Sequence, residues 1–363
     1  MRLLIFGLSI TSSWGNGHAT TYRGLARELD RRGHRVLFLE RNQPWYVRNR
    51  DTAGLTFCET ALYDDLDDLR QRFRREVEQA DGVIVGSYVP EGIEVGQWVT
   101  DVAEGVTAFY DIDTPVTLAS LRRGECRYLS RELIGQYDLY LSFTGGPILE
   151  QLRSHYGARL PSPFYCSADP AKYYPEETLR KWQLGYLGTY SADRQPRLEE
   201  LLLKPAGETG AGRFVVAGPQ YPEGIAWPAN VERIDHLGPR HHRAFYNAQR
   251  FTLNLTRDDM IEAGYSPSVR LFEAAACGIP IISDRWEGLG EFFEIGREIL
   301  VADSCAEVFA ILHELAEEER LAIGRRARAR VLREHTAAHR ATGLETLIHR
   351  VRSGSPEPRK IAL

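Results

Sequence analysis

The strongest constraint on this chain is a rhythm. A short apolar run, a turn and a longer amphipathic segment succeed one another along most of its length. That alternation argues for parallel strands covered by helices. In the first half, residues 3–10, 35–40, 82–87, 106–110 and 138–143 read as strands, and residues 20–32 as a helix ended by Gly33-His34. The rhythm breaks at Leu160-Pro161-Ser162-Pro163, Asp169-Pro170 and Tyr173-Tyr174-Pro175. Proline restricts itself and its predecessor, so this stretch predicts a connection between domains. A second series comes next, with strands at 184–190, 213–217, 251–256, 279–283 and 298–302. Helices are expected at 195–203, 241–249 and 267–277, and consecutive helices from 306 to about 352.

The length of 363 residues suits two domains of roughly 150–180 residues. The breaks place an N-terminal domain at 1–165, a second at 166–335, and a C-terminal helix and tail at 336–363. Hydrophobic residues make up 43% and charged residues 26%, and the net charge is -5. These values fit a globular protein and argue against a nucleic-acid partner. Cys58, Cys126, Cys166, Cys277 and Cys305 are scattered and odd in number, which predicts reduced thiols and neither a disulfide framework nor a zinc site. The opening apolar run reads as a buried strand and not as an export signal, so a cytoplasmic protein is expected. No stretch approaches the roughly 20 apolar residues of a transmembrane helix, which leaves only peripheral membrane contact open.

The segment from Ser266 to Asp284 carries the clearest chemical signal. Ser266 reads as N-cap, Pro267 as the first helical residue and Gly278 as the C-terminal stop. The N–H groups of Ser268, Val269 and Arg270 then open a helix, a place suited to a diphosphate. Glu273, one turn in, can accept from two ribose hydroxyls, or it is a solvated helix residue. Arg270 adds a fixed positive charge.

The run Arg270–Asp284 resembles the donor-binding helix and strand of GT-B glycosyltransferases, in the form of the GT4-like and CgeB-like (spore-maturation-type) families. Glu287–Phe293 and Gly296–Val301 resemble the loop, short helix and strand that come next in those families. Leu187-Gly188-Thr189-Tyr190 and Arg213–Pro219 resemble the strands that open the donor domain, and His236–Arg240 with Phe245–Ala248 the segment that holds the base. The motifs come in family order over the C-terminal half. The resemblance implies two Rossmann-like domains facing across a cleft, with C-terminal helices returning to the first. It also implies a nucleotide diphosphate sugar as substrate, with no separate cofactor and no metal. Gly238, Pro239 and Arg240 would lie near the base, and Gly188 near the phosphates.

Two loops in the first half are similar to acceptor-side loops of that fold. Gly15-Asn16-Gly17-His18 comes after the first strand, where glycines let a backbone approach a ligand. A dinucleotide reading fails there, because Thr20 stands where the third glycine of GxGxxG belongs. Asp111 and Asp113, in Asp-x-Asp-Thr-Pro, end another strand. One of them could act as general base on the acceptor or orient it, and Asp113 could instead cap a turn before Pro115. His18, Asp111 and Asp113 are therefore the catalytic candidates.

The chain also departs from the family. The Glu-x7-Glu array of GT4 enzymes keeps its second member as Glu273, but Tyr265 stands at the first. The basic pair that grips the diphosphate is replaced by Arg194 and Arg270. A hexosyltransferase-like glycosyltransferase remains the expectation. A nucleotide-sugar epimerase on the same fold and a non-catalytic nucleotide-binding module are the alternatives.

Overall fold

The computed structural model describes residues 1–13, 17–52, 54–210 and 212–354. It divides into two compact units, Met1–Cys166 with the chain from Ala337 onward, and Ser167–Thr336.

The first unit is built on a seven-stranded sheet. Its strands are β1 (Arg2–Gly7), β2 (Arg35–Arg41), β3 (Glu59–Tyr63), β4 (Gly82–Gly86), β5 (Val106–Asp111), β6 (Leu139–Ser142) and β7 (Pro161–Pro163). They lie in the order β3-β2-β1-β4-β5-β6-β7, and every pair is parallel. Both faces are covered, which is why β1 reads as an unbroken apolar run. Leu4, Phe6, Val83 and Phe109 pack with Leu69, Phe73 and Val99 on one side. Leu3, Ile5 and Ile84 pack with Tyr22, Leu25 and Leu29 of the His18–Arg31 helix on the other.

The last helix, Ala337–Ser353, belongs to this second layer through Ala341, Leu344, Leu347 and Ile348. Buried Arg340 fastens it: Nε donates to the Tyr165 carbonyl at 2.8 Å and a terminal nitrogen to that of Cys166 at 3.3 Å. Glu345 receives Arg32 Nε at 2.8 Å and also contacts His34.

The stretch around Pro161 and Pro163 is not wholly a linker. It forms β7, with Ser162 opposite Leu141. The strand sits at the sheet edge, the position that tolerates residues without an N–H. The connection proper begins after Cys166.

The second unit carries β8 (Trp182–Leu187), β9 (Phe214–Ala217), β10 (Val231–Ile234), β11 (Gln249–Asn254), β12 (Ile281–Ser283) and β13 (Leu300–Val301). Their order is β10-β9-β8-β11-β12-β13, again all parallel. Each sheet reverses its winding once, between β1 and β4 and between β8 and β11. Ligands of open α/β sheets collect outside the carboxyl ends of strands at such reversals.

The helix expected over 267–277 is shorter, Val269–Ala276. Ser268 is its N-cap with extended backbone, and Ser266 is not. The Ser268 hydroxyl does not cap; it donates to Asn254 Oδ1 at 2.7 Å. That tertiary bond outcompetes the local one. Gly278 takes the left-handed conformation after the helix, at φ +71°, and its N–H returns to the Ala275 carbonyl at 2.8 Å.

Candidate donor site and acid–base cluster

In the second unit, the winding reversal gathers three arginines. Arg194 lies beyond the β8 loop, Arg257 beyond β11, and Arg270 in the first turn of the Val269–Ala276 helix. Burial, with Arg270 and Arg257 nearby, holds the Arg194 guanidinium below its ordinary pKa. Arg194 gives one bond to the Thr189 carbonyl at 2.7 Å. Its Nε and that of Arg257 are buried with no hydrogen-bond partner among the described residues. Like charges brought together with unmet donors call for an anion.

Arg270 is locked from behind. Nε donates to the Leu187 carbonyl at 2.5 Å and a terminal nitrogen to Asn254 Oδ1 at 2.9 Å. Its guanidinium lies 4.8 Å from the Tyr186 ring centre. Gly188 makes this possible, since a Cβ there would stand 2.5 Å from the Tyr186 hydroxyl and 3.0 Å from an Arg270 nitrogen. Gly218 approaches in turn: its Cβ would fall 2.0 Å from the Gly188 carbonyl. Buried Asp284 fixes the other side, accepting from the Thr256 N–H and hydroxyl, both at 2.8 Å. That sets the backbone immediately before Arg257. The N–H groups of Val269 and Arg270 begin the helix, where no preceding turn can satisfy them.

Glu273 is only 4% exposed, so it is not a solvated helix residue. The Tyr246 hydroxyl donates to its Oε2 at 3.3 Å, and His242 Nδ1 stands 3.7 Å from the same oxygen. Burial and the Glu273 charge push the Tyr246 and Tyr173 hydroxyls well above their usual pKa, so both stay protonated donors. Gly238 is the N-cap of the Pro239–Asn247 helix, which carries His242 and Tyr246 to Glu273. Arg240 is exposed and its Nε donates to Nε2 of its neighbour His241 at 2.9 Å. The base-side strip thus meets the carboxylate through His242, one turn beyond Gly238, and through Tyr246, which lies in the Phe245–Ala248 segment picked from the sequence.

In the first unit, the loop after β1 is pinned by buried Glu40. Its oxygens accept from the Ile10 N–H (2.8 Å), the Thr11 N–H (3.0 Å) and the Thr11 hydroxyl (2.7 Å). An acid ending β2 takes ribose hydroxyls in dinucleotide-binding units; here it is spent on the loop. Gly15 and Asn16 lie outside the described residues. Gly17 is the N-cap of the His18–Arg31 helix with ordinary right-handed φ, and a Cβ there would meet nothing within 4 Å. Its backbone does not demand glycine.

His18 Nε2 stands 3.6 Å from Asp113 Oδ2. The Tyr88 ring, after β4, lies 5.5 Å from the imidazole. Burial and the Asp113 carboxylate raise the Tyr88 hydroxyl above its usual pKa. Tyr88 holds φ at +64°, a strained conformation for a tyrosine and one found at functional sites. Asp113 occupies the N-cap of the Thr114–Arg123 helix but makes no side-chain cap, so the capping role fails. Its carboxyl, 29% exposed, faces His18 instead.

Asp111 requires a correction. It is fully buried and cannot meet an acceptor. Oδ2 takes the Tyr140 hydroxyl at 2.6 Å and Oδ1 that of Thr117 at 2.7 Å. Burial pushes its carboxyl up to about 6. It holds the end of β5 beneath Asp113. Five aromatics, Trp14, Trp45, Tyr46, Tyr88 and Trp98, have rings that could stack on a sugar: Trp14 lies outside the described residues, Tyr46 and Trp98 are buried, Trp45 is exposed and Tyr88 stands beside His18. Sequence reasoning passed over Arg257, just beyond a strand end, and His242, on a helix that reaches Glu273, and read Tyr88 only as an aromatic that could stack on a sugar.

Among the described residues, no group of three His, Cys, Asp or Glu side chains is arranged to hold a metal ion. No described helix is long and apolar enough to cross a membrane.

Two Rossmann-like units with parallel sheets and helices, the second bearing an anion-ready reversal, define the GT-B glycosyltransferase fold. A family model described as glycosyl transferase-like matches residues 194–346. Among solved structures, the chain is similar to a sucrose-phosphate synthase from Thermosynechococcus elongatus, with TM-score 0.69, 12% identity, and coverage of 98% of this chain and 100% of that one. It is similar to Anabaena HepE in complex with UDP and glucose, with TM-score 0.67, 12% identity and coverage of 96% and 99%. An alpha-glucosyltransferase in complex with UDP and a 13-mer DNA gives TM-score 0.69, 16% identity and coverage of 96% and 99%. No curated protein matches by sequence.

Proposed function

We propose that this chain is a glycosyltransferase. It moves a sugar, a hexose in the first instance, from a nucleotide diphosphate to an acceptor hydroxyl or similar nucleophile without a metal ion. The observation that carries the reading is the convergence of Arg194, Arg257 and Arg270 beside the opening of the Val269–Ala276 helix. As the glycosidic bond breaks, negative charge grows on the departing diphosphate. Three guanidinium groups and the helix-end N–H groups oppose it from fixed positions. Glu273 accepts the ribose hydroxyls, with Tyr246 and His242 holding its carboxylate. The acceptor gives up its proton to the His18–Asp113 pair.

UDP-sugars are the first donors to try, because UDP occupies the HepE and alpha-glucosyltransferase structures. The Asp-x-Asp-Thr-Pro loop favours a CgeB-like member of the superfamily. A thermal-shift panel of UDP, GDP, dTDP and ADP tests the donor side, since specific binding raises Tm by mass action. One nucleotide should stabilise the protein, and its sugar derivative should release nucleoside diphosphate when acceptors are supplied. No stabilisation by any of the four, or a sugar that changes configuration without an acceptor, contradicts the reading.

A further inference from the structure

The proposed reaction leaves the transferred sugar without a partner, and two interlocked loops of the second unit supply one. Gly264 and Tyr265 both take left-handed backbone, at φ +64° and +49°. The Tyr265 N–H donates to the Glu287 carbonyl at 2.7 Å, and burial together with the Glu287 carboxylate raises the Tyr265 hydroxyl above its usual pKa. The ring rests on Gly288, where a Cβ would stand 2.5 Å from it. Glu287 is exposed, and no described cation pairs with it. Some exposed acids of this unit are paired, as Glu294 is with Arg297 and Glu317 with Arg320, and others such as Glu262 and Glu291 are not, among the described residues; what marks Glu287 is its interlock with the strained Tyr265 loop.

Both loops leave the carboxyl end of the sheet beside the arginines. Tyr265 precedes the N-cap Ser268 by three residues, which span at most about 11 Å. The Glu287 loop departs from Asp284, the residue that fixes Thr256 before Arg257. A carboxylate here repels phosphate, yet it can accept from neighbouring hydroxyls of a pyranose.

We propose that Glu287, positioned by Tyr265, grips hydroxyls of the sugar being transferred and so selects the donor. The assignment rests on the nucleotide site formed by the three arginines and Glu273. Glu287 reads the sugar and leaves the nucleotide alone. Tyr265 acts only through it.

Calorimetric titration with UDP and UDP-glucose tests this, with GDP and GDP-mannose or ADP and ADP-glucose as further pairs. Glu287→Ala should weaken binding of the sugar nucleotide about tenfold while the bare nucleotide changes less than about twofold. Retained nucleotide affinity also certifies the fold. Tyr265→Phe should give a smaller loss of the same kind, and none when added to Glu287→Ala. An unchanged ratio of the two affinities in Glu287→Ala, or a parallel loss of both, overturns the assignment. Glu273→Ala separates the two readings: it should lose nucleotide and sugar nucleotide alike. A wild-type protein that binds no pair overturns both.

Discussion

His18 Nε2 and Asp113 Oδ2 stand 3.6 Å apart, the imidazole at the start of the His18–Arg31 helix and the carboxylate just past β5. Three strand ends produce this meeting: β1 leads to His18, β4 to Tyr88 and β5 to Asp113. The doubly wound order places all three on one rim. Proton transfer through a positioned side chain contributes roughly 10²–10⁴-fold to rate. His18→Ala and Asp113→Asn should therefore each lower kcat by about two orders of magnitude or more. Nucleotide affinity, which the proposal assigns to the other unit, should hold. Initial-rate kinetics beside a binding titration check this, and a fall in affinity with kcat intact would contradict it.

Asp111 should behave differently from Asp113. Its buried carboxyl has a folded pKa of about 6, above the unfolded value of about 3.9. The protonated form is thus favoured by folding. That contribution is full below about pH 4 and is lost as pH rises through about 6. Asp111→Asn removes the dependence and keeps an acceptor for Tyr140. Chemical denaturation from pH 4 to 7 should show a flatter stability profile for the variant, with unchanged or higher stability at pH 7. A large loss of stability at pH 7 would mean that the charge itself holds the strand end.

The arginines should not be equivalent to the rest of the surface. Each hydrogen bond to a charged group is worth about 1.5–3 kcal/mol. Arg257→Ala should weaken nucleoside diphosphate binding by roughly 10- to 100-fold and nucleoside binding hardly at all. Gly188→Ala should act in the same direction, because its Cβ meets the Tyr186 hydroxyl and Arg270. Comparing the two ligands on each variant separates phosphate contacts from general damage.

Much of this was legible in the sequence. The apolar runs of β1, β4 and β11 stood out because both sheet faces are buried. Gly278 marked a helix end because only a left-handed residue fits there. Other elements were hidden for physical reasons. β7 carries two prolines and survives only as an edge strand. β10, also at an edge, has one buried residue among Val231–Ile234, too few to make an apolar pattern. Arg257 lies past a strand end that the sequence places two residues late. Its neighbours Asp258 and Asp259 mask its charge in one dimension. The placement of Glu273 was readable, but its burial was not, since Tyr173 and Tyr246 reach it from distant segments. The inertness of Asp111 was equally invisible, because Tyr140 and Thr117 meet it only through the fold.

The C-terminal helix offers a test of acid stability. Arg32, then His34, hold the Glu345 carboxyl down at about 2, against about 4.3 when unfolded. The stabilisation is present above about pH 4.3 and is lost as pH falls toward 2. After allowance for solvent screening at half-exposed Arg32, it amounts to about 1–2 kcal/mol. Glu345→Gln should lower Tm at pH 7 and bring it level with the wild type near pH 2. An equal gap at both pH values would assign the effect to packing.

The most direct test of the central claim is a crystal structure with the nucleoside diphosphate that raises Tm most. The phosphates should lie among Arg194, Arg257 and Arg270, facing the Val269 and Arg270 N–H groups, with the pentose hydroxyls on Glu273. A nucleotide bound elsewhere, or one that leaves the three guanidinium groups untouched, would contradict it.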